Sequence, residues 1–68
     1  MNVTINDEVH TLASSDLVLD ELITDILSKN GDGIAIAVND NIIPRQKWGN
    51  YRIKENDKIL VITATQGG

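Results

Sequence analysis

Apolar and polar residues alternate from the first position of the chain, with Met1, Val3 and Ile5 separated by Asn2, Thr4 and Asn6. A period of two is that of a strand with one buried face. Asn6-Asp7-Glu8 then predicts a turn, because Asn and Asp tolerate left-handed geometry and bond their own backbone. Val9-His10-Thr11-Leu12 follows as the returning strand of a hairpin. Between Ser14 and Gly33 the period lengthens to that of a helix, with Leu19, Leu22, Ile23, Ile26 and Leu27 on one face and Asp20, Glu21, Thr24, Asp25 and Ser28 on the other. Ser15 or Asp16 is placed to accept from the free N–H groups of its first turn, and Asp20 and Glu21 suit its positive end. Lys29 suits the negative end, and Asn30-Gly31 is a stop signal. Leu17 and Val18 fall just inside or just outside the start.

Ile34, Ile36 and Val38, interleaved with Ala35 and Ala37, predict a third strand, and Asn39-Asp40-Asn41 another turn. Ile42-Ile43 continues as a short extended piece ended by Pro44, which can open a helical turn through Arg45 to Trp48 because its fixed φ and missing N–H cost nothing there. Tyr51-Arg52-Ile53 predicts a brief edge strand, Glu55-Asn56-Asp57 a turn, and Lys58 to Thr65 the last strand. One amphipathic helix and one sheet that needs covering make an α+β fold. A β-grasp suits this order: a mixed four- to five-stranded sheet, first and last strands parallel at its centre, with one main helix across one face. Periodicity specifies the order of elements and leaves the pairing open.

A chain of 68 residues allows one domain and one modest core. We read residues 1–65 as that domain and residues 66–68 as a flexible tail. With 41% hydrophobic residues and no cysteine, the fold must stand without disulfides or a thiolate metal site, which points to a cytoplasmic address. No apolar run approaches the length of a membrane span, and no basic-then-apolar leader opens the chain. The net charge of −4 and the scattering of Lys29, Arg45, Lys47, Arg52, Lys54 and Lys58 argue against a nucleic-acid surface. No paired nucleophile and base is evident, so no catalytic residue and no metal ligand is assigned. His10 has no neighbouring Cys or second His and is read as an exposed, idle side chain.

The chain ends Thr63-Ala64-Thr65-Gln66-Gly67-Gly68, directly behind the apolar Ile59-Leu60-Val61-Ile62. A Gly-Gly end has no Cβ to obstruct a narrow channel, although a frayed terminus would also tolerate it. The Gly68 carboxylate is inert as an acylating agent until it is activated, for example as a mixed anhydride with AMP. Without cysteine, a chain that handled sulfur would have to hold it at that carboxyl end.

The opening Met1 to Glu8, Leu19 to Ile23 in the helix, the block Ile34 to Trp48 with Pro44, Arg45 and Trp48, the strand Asn56 to Ile62 and the final Gly67-Gly68 together resemble ThiS, the sulfur carrier family of thiamine (thiazole) biosynthesis. The resemblance spans nearly the whole chain. It implies the ubiquitin-like β-grasp. It also implies a cycle in which a ThiF-like adenylyltransferase, consuming ATP, converts the Gly68 carboxylate to an acyl-adenylate. Sulfur from a cysteine desulfurase or similar donor then leaves a thiocarboxylate, and a ThiG-like thiazole synthase receives the tail, Gln66, Gly67 and Gly68. On this reading the chain is a cosubstrate, binds no cofactor itself and is a monomer when alone. Two positions depart from the family pattern: Asn56 where Gly is usual, and Gln66 where small residues are common.

Matching to the same fold turns Ile59, Val61 and Thr63 toward the helix and Leu60, Ile62 and Ala64 away, beside Ala35 and Ala37. That leaves an apolar partner-binding patch on the open face, leading to the tail. A slip of one residue would exchange the two faces. Trp48 reads as a second packing cluster over an edge of the core, and Arg45 as a surface cation or a contact for a partner carboxylate. The alternatives are a MoaD-like carrier for molybdopterin, a ubiquitin-like modifier that forms isopeptide bonds, and a β-grasp interaction module with no use for the tail.

Overall fold

A computed structural model describes residues 1–26 and 33–63. Strands β1 (Asn2–Ile5) and β2 (Glu8–Thr11) form the expected hairpin, with Ile5 paired to Glu8 across a two-residue loop. Asn6 and Asp7 both take positive φ, 50° and 69°. That conformation matches the twist of the flanking strands and suits short polar side chains. The same solution joins β3 (Ile34–Val38) to β4 (Asn41–Ile43), where Asn39 and Asp40 have φ of 51° and 71°. Asn56, at 67°, takes the left-handed place that Gly fills elsewhere in the family pattern.

The last strand, β5 (Lys58–Thr63), runs parallel to β1 and antiparallel to β3, giving one five-stranded sheet in the order β2-β1-β5-β3-β4. The first and last strands thus meet at its centre, as the β-grasp reading requires. Val3, Ile5, Ile36, Val38 and Ile59 point from the sheet into the core, where Leu19, Leu22 and Ile23 cover them with no solvent exposure of their own.

The helical segment differs from its sequence expectation in two ways. Among the described residues it is α-helical over α1 (Leu19–Glu21) and continues as a π-helix over Leu22–Ile26. The Thr24 hydroxyl donates to the Asp20 carbonyl at 2.9 Å, one turn back along this segment. Neither Ser15 nor Asp16 caps it. The Leu19 N–H donates instead to the Tyr51 carbonyl at 2.8 Å, and the Glu21 carboxylate accepts from the Val18 N–H at 3.1 Å. Asp16 forms an ion pair with Arg52 on the surface. Leu27 on the helix face, Lys29 at its end and the stop at Asn30-Gly31 fall outside what the structure describes.

Tyr51–Ile53 adds no edge strand to the sheet. A single bridge joins Arg52 to Val18, and the Ile53 N–H donates to the Leu17 carbonyl at 2.8 Å. The segment ties down the entry to the helix, burying Leu17 and Ile53 together. A 3-10 helix over Arg45–Asn50 follows Pro44 as expected. It seats Trp48 at 3% exposure with its indole N–H on the Ile43 carbonyl at 2.9 Å. Trp48 belongs to the same cluster as Leu19 and Ile59, so there is one core rather than a main core and a satellite.

Candidate functional site

β5 is built to hold one end of the last strand tightly. Its entry turn carries a buried carboxylate, Asp57, which accepts from the Lys54 N–H at 2.8 Å and from the Asn39 side-chain amide at 3.0 Å. The Asn39 Oδ1 in turn accepts from the Lys58 N–H at 3.0 Å, so the β3–β4 turn and the start of β5 are locked together. On the other side Thr4 donates to the Asp57 carbonyl and Asn6 to the Ile59 carbonyl, at 2.9 and 3.0 Å.

Along this strand the two faces separate as the β-grasp match implied. Ile59 is 1% exposed, against 46% for Leu60 and 44% for Ile62. The register pairs Leu60 with Ala37 and Ile62 with Ala35, so these four residues share the sheet face opposite the helix. Ala35 is exposed, whereas Ala37 is buried and serves as the floor between larger neighbours. Ala64, Gln66, Gly67 and Gly68 lie outside the described residues.

The structure adds Ile42, 63% exposed and paired with Ala37, to the same face. The two-residue loop at Asn39-Asp40 carried that information, because it obliges residue 37 to face residue 42. Val9, 72% exposed, also projects from this face, but Thr4 and Lys58 separate it from Leu60. A hollow of about 150 Å³ between the two Asn-Asp turns is lined by Asp7, Asp40, Lys58 and Leu60 among others. It is smaller than the clefts of roughly 300–1,000 Å³ that hold drug-sized ligands.

His10 lies 3.5 Å from the Glu8 carboxylate on its own strand. Among the described residues no group of three His, Cys, Asp or Glu is placed to hold a metal ion, and no helix is long and apolar enough to cross a membrane. Arg45 stands exposed at the start of the 3-10 helix.

Residues 3–68 match the model of the ThiS family. The chain belongs to the ThiS family, sulfur carriers of thiamine biosynthesis. It is similar to the sulfur carrier protein ThiS of Escherichia coli (strain K12), with 29% identity over 68 residues and full coverage of both chains. Its fold is similar to the crystal structure of the thiamine biosynthesis protein ThiS from Geobacter metallireducens, with a TM-score of 0.86 at 20% identity over the whole of both chains. The solution structure of a thiamine biosynthesis protein from the same organism gives 0.80 at 20% identity, covering this whole chain and 88% of the other. Membership of the ThiS family favours the thiamine carrier over the molybdopterin alternative. The family's small carriers are not catalysts.

Proposed function

We propose that this ThiS-family chain carries sulfur as a thiocarboxylate on Gly68 for formation of the thiazole ring of thiamine. The Gly68 carboxylate attacks the α-phosphorus of ATP on a ThiF-like adenylyltransferase, pyrophosphate leaves, and the carboxyl carbon becomes an acyl-adenylate. A sulfur nucleophile supplied through a cysteine desulfurase or similar donor attacks that carbon, and AMP leaves. The resulting thiocarboxylate is delivered by Gln66, Gly67 and Gly68 to a ThiG-like thiazole synthase. ATP is held by the activating enzyme, and the carrier binds no cofactor. The cycle runs in the cytoplasm, between successive partners that share one monomeric carrier.

What supports this reading most is the family match running through the final glycines, residues 3–68. The geometry upstream agrees with it. A strand clamped on both sides at Lys58 and Ile59 leads to the tail, flanked by the exposed Leu60 and Ile62 as a surface that a partner can cover. The deciding experiment is intact-protein mass spectrometry after incubation with ATP, a ThiF-like enzyme and a sulfur source, with fragmentation to place the change. Sulfur in place of one oxygen on Gly68 is expected. An unmodified chain beside an enzyme active on its own carrier would refute it.

A further inference from the structure

Among the described residues, the register of β5 leaves one strand position unpaired at Ile62 on the side of β1. Leu60 and Ile62 pair with Ala37 and Ala35, and the Lys58 carbonyl accepts from Asn39, so the even-numbered residues turn their backbone groups toward β3. The odd-numbered residues therefore turn theirs toward β1. There the ladder is regular up to Asn6, whose N–H donates to the Ile59 carbonyl. In a parallel ladder the Asn6 carbonyl would next accept from Val61. With φ at 50° the backbone has already turned away, and the Asn6 side-chain Oδ1 takes that place, accepting from the Val61 N–H at 2.8 Å.

One step further along, β1 has ended. The Val61 carbonyl and the Thr63 N–H point to the same side and make no hydrogen bond among the described residues. They flank Ile62 in the spacing that a single residue of a parallel strand bonds with both its N–H and its C=O. Asn6 thus closes the β1 side of the sheet at Val61 and, among the described residues, leaves one donor and one acceptor beyond it.

We propose that this edge, the Val61 carbonyl and the Thr63 N–H, is a docking edge for an extended segment of the enzyme that activates Gly68, laid parallel to β5 opposite Ile62. The proposal rests on the carrier reading above. Residues 64–68, even fully extended, reach at most about 18 Å, so an enzyme that takes the Gly68 carboxyl group into its active site comes within contact range of the end of β5, where this edge lies. Main-chain pairing would align the tail, while Leu60 and Ile62 on the neighbouring face supply apolar contact.

The test compares Thr63→Pro with Thr63→Val as substrates of a ThiF-like adenylyltransferase, reading kcat and KM from pyrophosphate release. Proline removes an N–H that makes no hydrogen bond among the described residues, so both variants should melt close to one another. Loss of one pairing bond should raise KM of the proline variant about threefold to tenfold over the valine variant. In parallel, hydrogen exchange at the Thr63 amide of the natural chain should slow when the enzyme is bound without ATP. Equal KM values, or a Thr63 amide that exchanges at the same rate in the complex as in the free chain, would overturn the docking edge. A natural chain that an active enzyme leaves unmodified overturns the carrier reading itself, and the edge with it.

Discussion

Truncating the open-face patch should weaken partner binding and folding by comparable amounts, because each side chain is divided between the two. Full burial of a leucine or isoleucine contributes about 1.5–3 kcal/mol. Leu60 and Ile62 leave 46% and 44% of their surface to solvent, so roughly half of that, about 1 kcal/mol each, has already gone to folding, and about 1 kcal/mol each remains for a partner. The double variant Leu60→Ala, Ile62→Ala should therefore lose about 2 kcal/mol of stability, and KM for adenylation should rise about 30-fold. Denaturant unfolding reads the first quantity. Pyrophosphate release against carrier concentration, run at a temperature where the variant is folded, reads the second. Val9→Ala is the control, since Val9 is more exposed than either residue yet is separated from them by Thr4 and Lys58, and its KM should stay within about twofold of the natural chain. A folded double variant with an unchanged KM would refute the assignment of this face to the partner.

Deleting Gly68, or adding one residue after it, should abolish sulfur transfer while thermal unfolding stays nearly unchanged; transfer by the extended chain would rule out chemistry at the carboxyl end. Asp57→Ala removes the acceptor of two hydrogen bonds in a buried turn and should cost about 3 kcal/mol in urea unfolding, and a cost under 1 kcal/mol would show that water replaces the carboxylate. Trp48→Phe leaves the Ile43 carbonyl without its indole donor and part of the core unfilled, for a loss of about 2 kcal/mol followed by circular dichroism. Asn56→Ala should destabilise by about 1 kcal/mol at a φ of 67°, whereas Asn56→Gly should not; equal midpoints would contradict the left-handed geometry.

The features legible in the sequence were those written locally. Alternation in Asn2–Ile5 and Ile34–Val38, and Asn-Asp pairs at both hairpin loops, carry strand, turn and register in a few consecutive residues. The features that were missed depend on residues far apart in the chain. Nothing near Ser15 reveals that the helix entry is capped by the carbonyl of Tyr51, nor does Tyr51-Arg52-Ile53 reveal that its partner is Leu17–Leu19 rather than a sheet edge. The π-helical winding was hidden for another reason: the apolar positions Leu19, Leu22 and Ile23 suit an α-helix equally well. On the open face, Leu60 and Ile62 were placed by matching to the β-grasp fold, because both faces of Ile59 to Ile62 are apolar and alternation does not choose between them, while Ile42 required carrying the hairpin register across to its neighbour.

If Gly68 carries sulfur as proposed, the pairing of β5 predicts how the fold responds to the change at its end group. Hydrogen bonds from both sides converge on Asp57 to Ile59; beyond them Asn6 supplies one side-chain acceptor to Val61, and among the described residues β3 alone pairs with Ile62. Among the described residues, the hydrogen bonds of β5 are thus concentrated at its start, at Asp57 to Ile59. A carrier arranged this way should have the same folding free energy with a carboxylate, an acyl-adenylate or a thiocarboxylate on Gly68, leaving partners to distinguish these states at the end group itself. Melting the carboxylate and thiocarboxylate forms side by side tests this. Midpoints that agree support the separation of fold from cargo, and a shift of several degrees would mean that the end group is read by the folded domain.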